Sequence, residues 1–161
     1  MPMPPETHRL RPDHLPTPFS AAQIRQACPA GRTIRMREER PAEPPALRTI
    51  RFVEVDADGA VHEVQATDAE GRPMGEPTRG RSSWLDLQRH ASQPADATTV
   101  DEVELTLPFG AFPCWLYSVQ TPDARRLFWF AKELPGHFVQ VEEWVDGVLT
   151  GRSTMVASET L

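Results

Sequence analysis

The chain has 161 residues and a formal net charge of −6, with 39% hydrophobic and 25% charged residues. This length and composition are typical of one folded unit with its own core. Residues 1–52 carry nine arginines against five acidic residues, whereas residues 53–161 carry eight basic against eighteen acidic residues. The acidic main part argues against a nucleic-acid partner, because binding a phosphate backbone requires a basic stripe.

The sequence has no transmembrane segment, since none of its apolar runs approaches the roughly 20 residues that a bilayer-spanning helix needs. Its first residues, Met-Pro-Met-Pro-Pro-Glu-Thr-His-Arg, lack the apolar stretch of a secretory signal. We therefore expect a cytoplasmic protein in which Cys28 and Cys114 are reduced thiols. A disulfide between them would form only in an oxidising compartment.

Proline dominates the beginning of the chain, with ten of the seventeen prolines in the first 45 residues. Proline removes a backbone donor and restricts φ, so residues 1–18 are predicted to form a disordered arm. Residues 19–161 are predicted to form a single β-rich domain.

Two short helices are predicted from their N-terminal capping residues. Ser20 and Gln23 form a capping box ahead of a helix over 21–28, which Pro29 terminates. Ser83 caps a second helix that ends near His90. Neither helix is long enough to connect two parallel strands of a sheet, as the helix of a β-α-β unit does.

Most of the remaining sequence alternates between apolar and polar residues, which indicates half-buried strands. Asp146-Gly147 is the strongest hairpin signal, because both positions of a tight turn favour positive φ. A series of strands with short turns predicts a mainly β (α+β) fold, in which a curved antiparallel sheet forms a half-barrel or barrel with one or two short helices. The predicted strands cover 49–55, 61–67, 102–107, 112–120, 127–132, 138–145 and 148–157. One further strand is predicted, and its solvated side, rather than a phosphate site, is formed by Arg32, Arg35, Arg37 and Arg40.

Aromatic residues are concentrated in the second half of the chain, and residues 127–131 are apolar on both faces of their strand. Such a strand must be covered on both sides. A capping helix over plain core, an aromatic-lined ligand cavity and a partner interface all satisfy that requirement. The candidate binding residues are Trp115, Tyr117, Phe128, Trp129, Phe130, His137 and Trp144.

The sequence offers little support for catalytic or cofactor chemistry. Cys114 could act as a nucleophile with His137 as its base, but a small thiol within a strand is typical of packing. The histidines have no metal-ligand spacing, and no glycine-rich phosphate loop occurs. We therefore predict no catalytic residue, no metal and no cofactor.

Two segments resemble a known group of proteins. Leu107-Pro-Phe-Gly-Ala-Phe-Pro-Cys114 and Phe128-Trp-Phe-Ala-Lys-Glu-Leu-Pro-Gly136 are similar to uncharacterised bacterial β domains of the lipoprotein-carrier (LolA/LolB-like) half-barrel type. The resemblance covers roughly residues 100–157. It implies a curved antiparallel sheet that wraps a helix and holds an acyl chain on its concave side. Those carriers are exported, which differs from the location expected here.

These observations predict a non-catalytic binding or interaction module whose aromatic-rich face takes an apolar small molecule or a protein partner, with a homo-oligomer possible. One alternative is a small cofactor-free barrel enzyme acting on an apolar substrate, since catalysis can rest on shape and a few polar groups. The other is a structural component of a cytoplasmic assembly. An enclosed pocket containing Tyr117, Trp129 or His137 would favour the enzyme.

Overall fold

The computed structural model describes residues 2–161, which form nine antiparallel strands in one curved open sheet and two short α-helices. This confirms the expected mainly β class. The strand order across the sheet is β4-β3-β2-β1-β9-β8-β7-β6-β5. The elements are α1 (Ala21–Ala27), β1 (Arg32–Glu39), β2 (Ala46–Val55), β3 (Gly59–Thr67), β4 (Thr78–Ser83), α2 (Trp84–Arg89), β5 (Thr98–Leu107), β6 (Gly110–Gln120), β7 (Arg125–Ala131), β8 (Gln140–Val145) and β9 (Val148–Thr160).

The β8–β9 hairpin forms where the sequence predicted a tight turn. Asp146 has φ 51° and Gly147 has φ 76°, so both turn residues lie in the left-handed region. Val145 and Val148 close the hairpin as a directly paired couple. This backbone twist matches the twist of the strands that it joins.

Strand β4 was not predicted from the sequence. Its residues, Thr-Arg-Gly-Arg-Ser-Ser, include no large apolar side chain, so the segment lacks the alternation of apolar and polar residues that predicts a strand. It pairs with β3, with Ala60 opposite Ser82 and His62 opposite Gly80. Pairing to an existing strand therefore decides the conformation of this segment, rather than its own β propensity.

The register divides the sheet into two faces, because residues directly opposite each other in paired strands point to the same side. One continuous set runs across the sheet from Val100 through Tyr117, Phe128, Val141 and Ser153. It continues through Glu38, which pairs with Ser153, and through Met36, which pairs with Met155 and Arg48. We call this side the helix-covered face, because Phe19 and Pro16 contact it through Phe130 and Tyr117.

Helix α1 begins at the predicted capping box. Gln23 N donates to Ser20 Oγ at 3.2 Å, and Ser20 N donates to the Gln23 side chain at 2.9 Å. Ile24 is the buried residue of this helix. Helix α2 begins similarly, with Asp86 N donating to Ser83 Oγ at 3.0 Å. The caps set the entry point of each helix on the sheet.

The N-terminal segment (residues 2–18) lies against the helix-covered face, whereas the sequence predicts a disordered arm there. Tyr117 Oη donates to Pro16 O at 2.6 Å, and Leu15 N donates to Gln93 O at 2.9 Å. Leu15, Pro16 and Thr17 are buried. Proline needs no backbone donor partner, so a proline-rich segment can pack without joining the sheet.

Arg32 also differs from expectation, since the arginines of β1 were predicted to form a solvated side of the strand. Its side chain is buried and donates to Ala27 O at 3.1 Å and to Ser158 Oγ at 3.5 Å. It also donates to Pro135 O. Backbone carbonyls at the end of α1 and in the β7–β8 loop therefore satisfy this buried guanidinium.

Candidate functional site

An apolar cavity of about 190 Å³ lies between β7 and the two helices. Phe128 and Phe130 project into it from the sheet, and the β7–β8 loop closes one side. The exposed His90 also borders it, so the cavity reaches the surface near the end of α2. The full lining is Pro18, Phe19, Ile24, Leu87, Gln88, His90, Ala91, Gln93, Phe128, Phe130, Gly136, His137 and Phe138.

The aromatic wall of the cavity is an interlocked set of rings. Phe130 meets Phe19 edge-on at 6.3 Å between ring centroids and meets Tyr117 edge-on at 5.5 Å. Phe128 contacts Phe138 in the same manner at 6.3 Å. Edge-to-face pairs are the favoured arrangement of aromatic rings and hold these side chains in place. The wall is therefore rigid on the sheet side.

A buried glutamine joins the elements that form the opposite wall. Gln88 in α2 accepts a hydrogen bond from Ala21 N at 2.9 Å and donates to Thr17 Oγ1 at 3.0 Å and to His8 O at 3.3 Å. Its amide thereby links α1, α2 and the N-terminal segment. Because a buried amide is costly unless its groups are paired, this network fixes the spacing of the helices.

The β7–β8 loop approaches the end of α1 closely at Gly136. Its φ is 111°, and a Cβ there would stand 2.5 Å from Cys28 Sγ and 3.1 Å from an Arg32 nitrogen. Only glycine fits both the backbone conformation and the space. This close approach places His137 and Phe138 at the cavity.

His137 is the titratable group that burial perturbs most at this site. Its Nδ1 is 2.7 Å from Phe138 O, and its ring centroid is 4.1 Å from that of Phe138. Burial lowers its pKa to about 4, and the positive charges of Arg48 and Arg32 add to this effect. The imidazole is therefore neutral at pH 7, with Nδ1–H as the donor to the carbonyl.

The seven predicted site residues do not lie together. Phe128, Phe130 and His137 line the cavity, and Tyr117 supports it from behind as a fully buried ring. Burial raises the pKa of Tyr117 far above its usual range.

Trp115 shares this face but lies beyond the cavity, where Lys132 Nζ is 4.0 Å from its ring centroid and 2.6 Å from Glu102 Oε1. Trp129 and Trp144 point to the opposite face, on the side of Leu127 and Glu142. There Trp144 Nε1 donates to Glu142 Oε1 at 3.1 Å.

The other walls of the cavity were not predicted as site residues. Phe19 directly precedes the first predicted helix, and Ile24 and Leu87 lie within the two predicted helices. Their patterns predict buried faces, but nothing in the sequence shows that they lie opposite Phe128 and Phe130. Which distant segments come together around the cavity is decided by the tertiary structure and not by the local sequence.

Both cysteines are free and buried. Burial raises the pKa of the Cys114 thiol to about 11 and also raises that of Cys28. Cys114 points to the face opposite Tyr117, where its Sγ is 3.5 Å from Phe112 O. Such thiols carry little thiolate at neutral pH. Within residues 2–161, no cluster of three or more histidine, cysteine or acidic side chains could hold a metal ion.

The fold is similar to that of a solved structure. A Bacteroides fragilis protein described as a candidate exported protein with a YmcC-like fold superposes with a TM-score of 0.54 and 13% sequence identity. The match covers 83% of this chain and 97% of the other. At this identity the likeness concerns the fold alone. No protein-family model matches the sequence, and no curated protein matches it.

This neighbour corrects the expected location. The prediction of a cytoplasmic protein is wrong in light of it, because the similar structure is described as exported. The prediction relied on the absence of an apolar leader near Met1. No helix in the described part of the chain is long and apolar enough to span a bilayer.

Proposed function

We propose that the protein is a binding module that holds an apolar ligand, or the apolar part of one, in the cavity between β7 and the helices. The observation that carries this proposal is the unfilled space of about 190 Å³ beside rigid aromatic walls. A concave apolar space between fixed side chains is the usual form of a small-ligand site. Sites for drug-sized ligands enclose roughly 300–1,000 Å³, so this cavity suits a small occupant or one that extends past the mouth.

The ligand's contacts would be almost entirely apolar. Phe19, Phe128 and Phe130 offer ring faces and edges, and His137 presents a neutral imidazole. Burying apolar surface contributes about 25 cal/mol for each Å² removed from water. An occupant of this cavity would therefore be held by desolvation and shape, with little directional bonding inside.

Titration with 1-octanol, followed by two-dimensional amide NMR, tests this proposal. Ala91 borders the cavity, so Ala91→Phe fills it, whereas Ala95→Phe adds the same ring at an exposed position. We expect saturable shifts at Ala91, Phe130 and Gly136 in the wild-type protein and in Ala95→Phe, and their loss in Ala91→Phe. Absence of saturable shifts in the wild type, or equal binding by the two variants, would overturn the proposal.

A protein partner is a second candidate, and it concerns the opposite face. Trp129 and Trp144 are both partly exposed there, beside the paired Glu142 and Arg152. Aromatic residues beside a charged pair are typical of interface cores with polar rims. Trp129→Ser combined with Trp144→Ser should abolish self-association in light scattering if a second copy binds this face. A wild-type protein that remains monomeric at high concentration would argue against the second copy.

The lipoprotein-carrier resemblance and the neighbour's description support a further proposal, namely that the chain acts outside the cytoplasm. The structural neighbour is described as exported, and the lipoprotein carriers that the sequence resembles are exported as well. Fractionation of cells expressing the protein from its own gene would test this location. Recovery of the protein only in the cytosol would contradict it.

A further inference from the structure

A second depression adjoins the cavity on the same face of the sheet. We call it the charged groove, a space of about 270 Å³ bordered by Glu38, Arg48, Arg126, Glu143 and Ser153. Phe128 and Phe138 border both the groove and the apolar cavity. A molecule that fills the cavity therefore has a polar region within reach.

The arginines of the groove retain unused donors. Arg126 donates through Nε to Glu143 Oε2 at 2.9 Å, and Arg48 Nε lies 3.3 Å from Glu38 Oε1 without the alignment of a hydrogen bond. Within residues 2–161, the terminal amino groups of these two arginines donate to no protein acceptor. A guanidinium fork of this kind can bind both oxygens of a carboxylate or phosphate.

Three glutamates border the groove, and they differ in how far they are engaged. Glu38 has only its contact with Arg48, and the Glu39 carboxylate has no hydrogen bond or ion pair within residues 2–161. Glu143 accepts from Arg126 through Oε2, and its Oε1 accepts from Thr150 Oγ1 at 3.3 Å. Glu142 is directed to the other face and paired with Arg152. Arginines nevertheless outnumber glutamates along the groove by four to three, and the terminal amino groups of Arg48 and Arg126 are unused, which favours an anion over a cation.

Ser153 provides an independent observation. It is only 7% exposed, borders the groove, and its Oγ has no hydrogen-bond partner among the described residues. A buried hydroxyl without a partner costs about 1–3 kcal/mol. Ser153 in β9 and Arg48 in β2 point to the same face from the two strands that flank β1, since Ser153 pairs with Glu38 and Arg48 pairs with Met36. Together they form a small donor site beside Phe128.

We infer that the ligand is an amphipathic acid, whose carboxylate or phosphate binds Arg48 and Ser153 in the charged groove while its apolar part occupies the cavity. This inference rests on the proposed function and adds the chemical class of the ligand. The anion would compete with Glu38 for Arg48. Because Arg48 and Glu38 form no aligned hydrogen bond, replacing this contact by the anion costs little free energy. Arg126 lies along the same groove and adds positive charge.

Isothermal titration with octanoate, 1-octanol and octylammonium at one pH tests the inference. The three probes share the same chain and differ in the charge of the head. We expect octanoate to bind about tenfold more tightly than octanol, which corresponds to one charge-assisted contact. Octylammonium should bind more weakly than octanol.

Arg48→Met should reduce the octanoate preference to near unity while leaving octanol affinity unchanged. Arg51→Met is the matched control, since Arg51 is an exposed residue on the opposite face of the same strand. Arg126→Met, at a more exposed position, should reduce the preference for octanoate over octanol by about twofold to threefold. This variant tests the inference if Arg48→Met fails to fold. Equal affinity of the wild type for octanoate and octanol, or equal effects of Arg48→Met and Arg51→Met, would overturn the inference but leave the proposed function standing. If neither octanol nor octanoate binds, the proposed function fails and the inference fails with it.

Discussion

His137 combines two features at the residue scale: an imidazole that burial keeps neutral and a position on the wall of the apolar cavity. A charged imidazole there would be placed beside aromatic rings and near the positive charges of Arg48 and Arg32. The residue therefore links the pH of the solution to the stability of the cavity.

Stability should fall in acid because of His137. Its folded-state pKa of about 4 lies below the value of 6.5 expected in the unfolded chain. The unfolded state therefore takes up the proton first, and stability decreases as pH falls from 6.5 towards 4, by up to about 3 kcal/mol. Urea unfolding measured across this range should show a shallower slope for His137→Asn than for the wild type. The exposed His90→Asn should keep the wild-type slope, and the same slope in all three proteins would contradict the account.

Tyr117 is the second residue whose role can be isolated. Its hydroxyl donates to Pro16 O, and both groups are buried. Tyr117→Phe leaves that carbonyl unpaired, so we expect a loss of about 1–3 kcal/mol in the free energy of unfolding. Amides of the N-terminal segment should also exchange faster with deuterium.

The control for this change is Thr121→Val, which removes a hydroxyl bonded to Ala124 O in an exposed turn. It should cost less than about 0.5 kcal/mol. If Tyr117→Phe and the wild type have equal stability and equal exchange, the N-terminal segment is disordered in solution, as the proline content predicts.

At the scale of elements, the β7–β8 loop determines whether the cavity exists. The loop reaches the end of α1 through Gly136, where Cys28 Sγ leaves no space for a side chain. A wider separation would withdraw His137 and Phe138 from the cavity. The cavity therefore depends on the contact between a loop and a helix that are more than 100 residues apart.

Gly136→Ala should destabilise the protein by about 1–3 kcal/mol more than Gly75→Ala. Both glycines have positive φ, but a Cβ at Gly75 would meet nothing within 4 Å. The comparison therefore separates steric overlap from backbone strain. Thermal or urea unfolding of the two variants measures it, and equal destabilisation would show that the loop does not pack against Cys28 as described.

Much of this element-level organisation was accessible from the sequence, for identifiable reasons. The capping box at Ser20, the N-cap at Ser83 and the Asp146-Gly147 turn act locally, so their residues alone specify them. Strand β4 lacked a signal because its sequence has no apolar alternation. The run 127–131 predicted two covered faces but not which face bears the cavity, because both sides of that strand are apolar.

At the scale of the whole molecule, the curved sheet carries the helices and the N-terminal segment on one face. That arrangement places segments from residues 18–24, 87–93, 128–130 and 136–138 around one space. The sequence indicated Phe128, Phe130 and His137 as candidates, but grouped them with Trp129 and Trp144. The structure places these two tryptophans on the opposite face of the sheet. Separating the two sets required the strand register, which depends on long-range pairing.

The central claim is that the cavity receives the apolar end of a ligand. A crystal structure of the protein with 8-bromooctanoate, phased to locate bromine by its anomalous signal, tests this claim directly. We expect the bromine in the cavity, against Phe19 and Phe130, with the carboxylate at Arg48 and Ser153. Bromine found only on the outer surface, or no bound bromine at saturating concentration, would contradict the account.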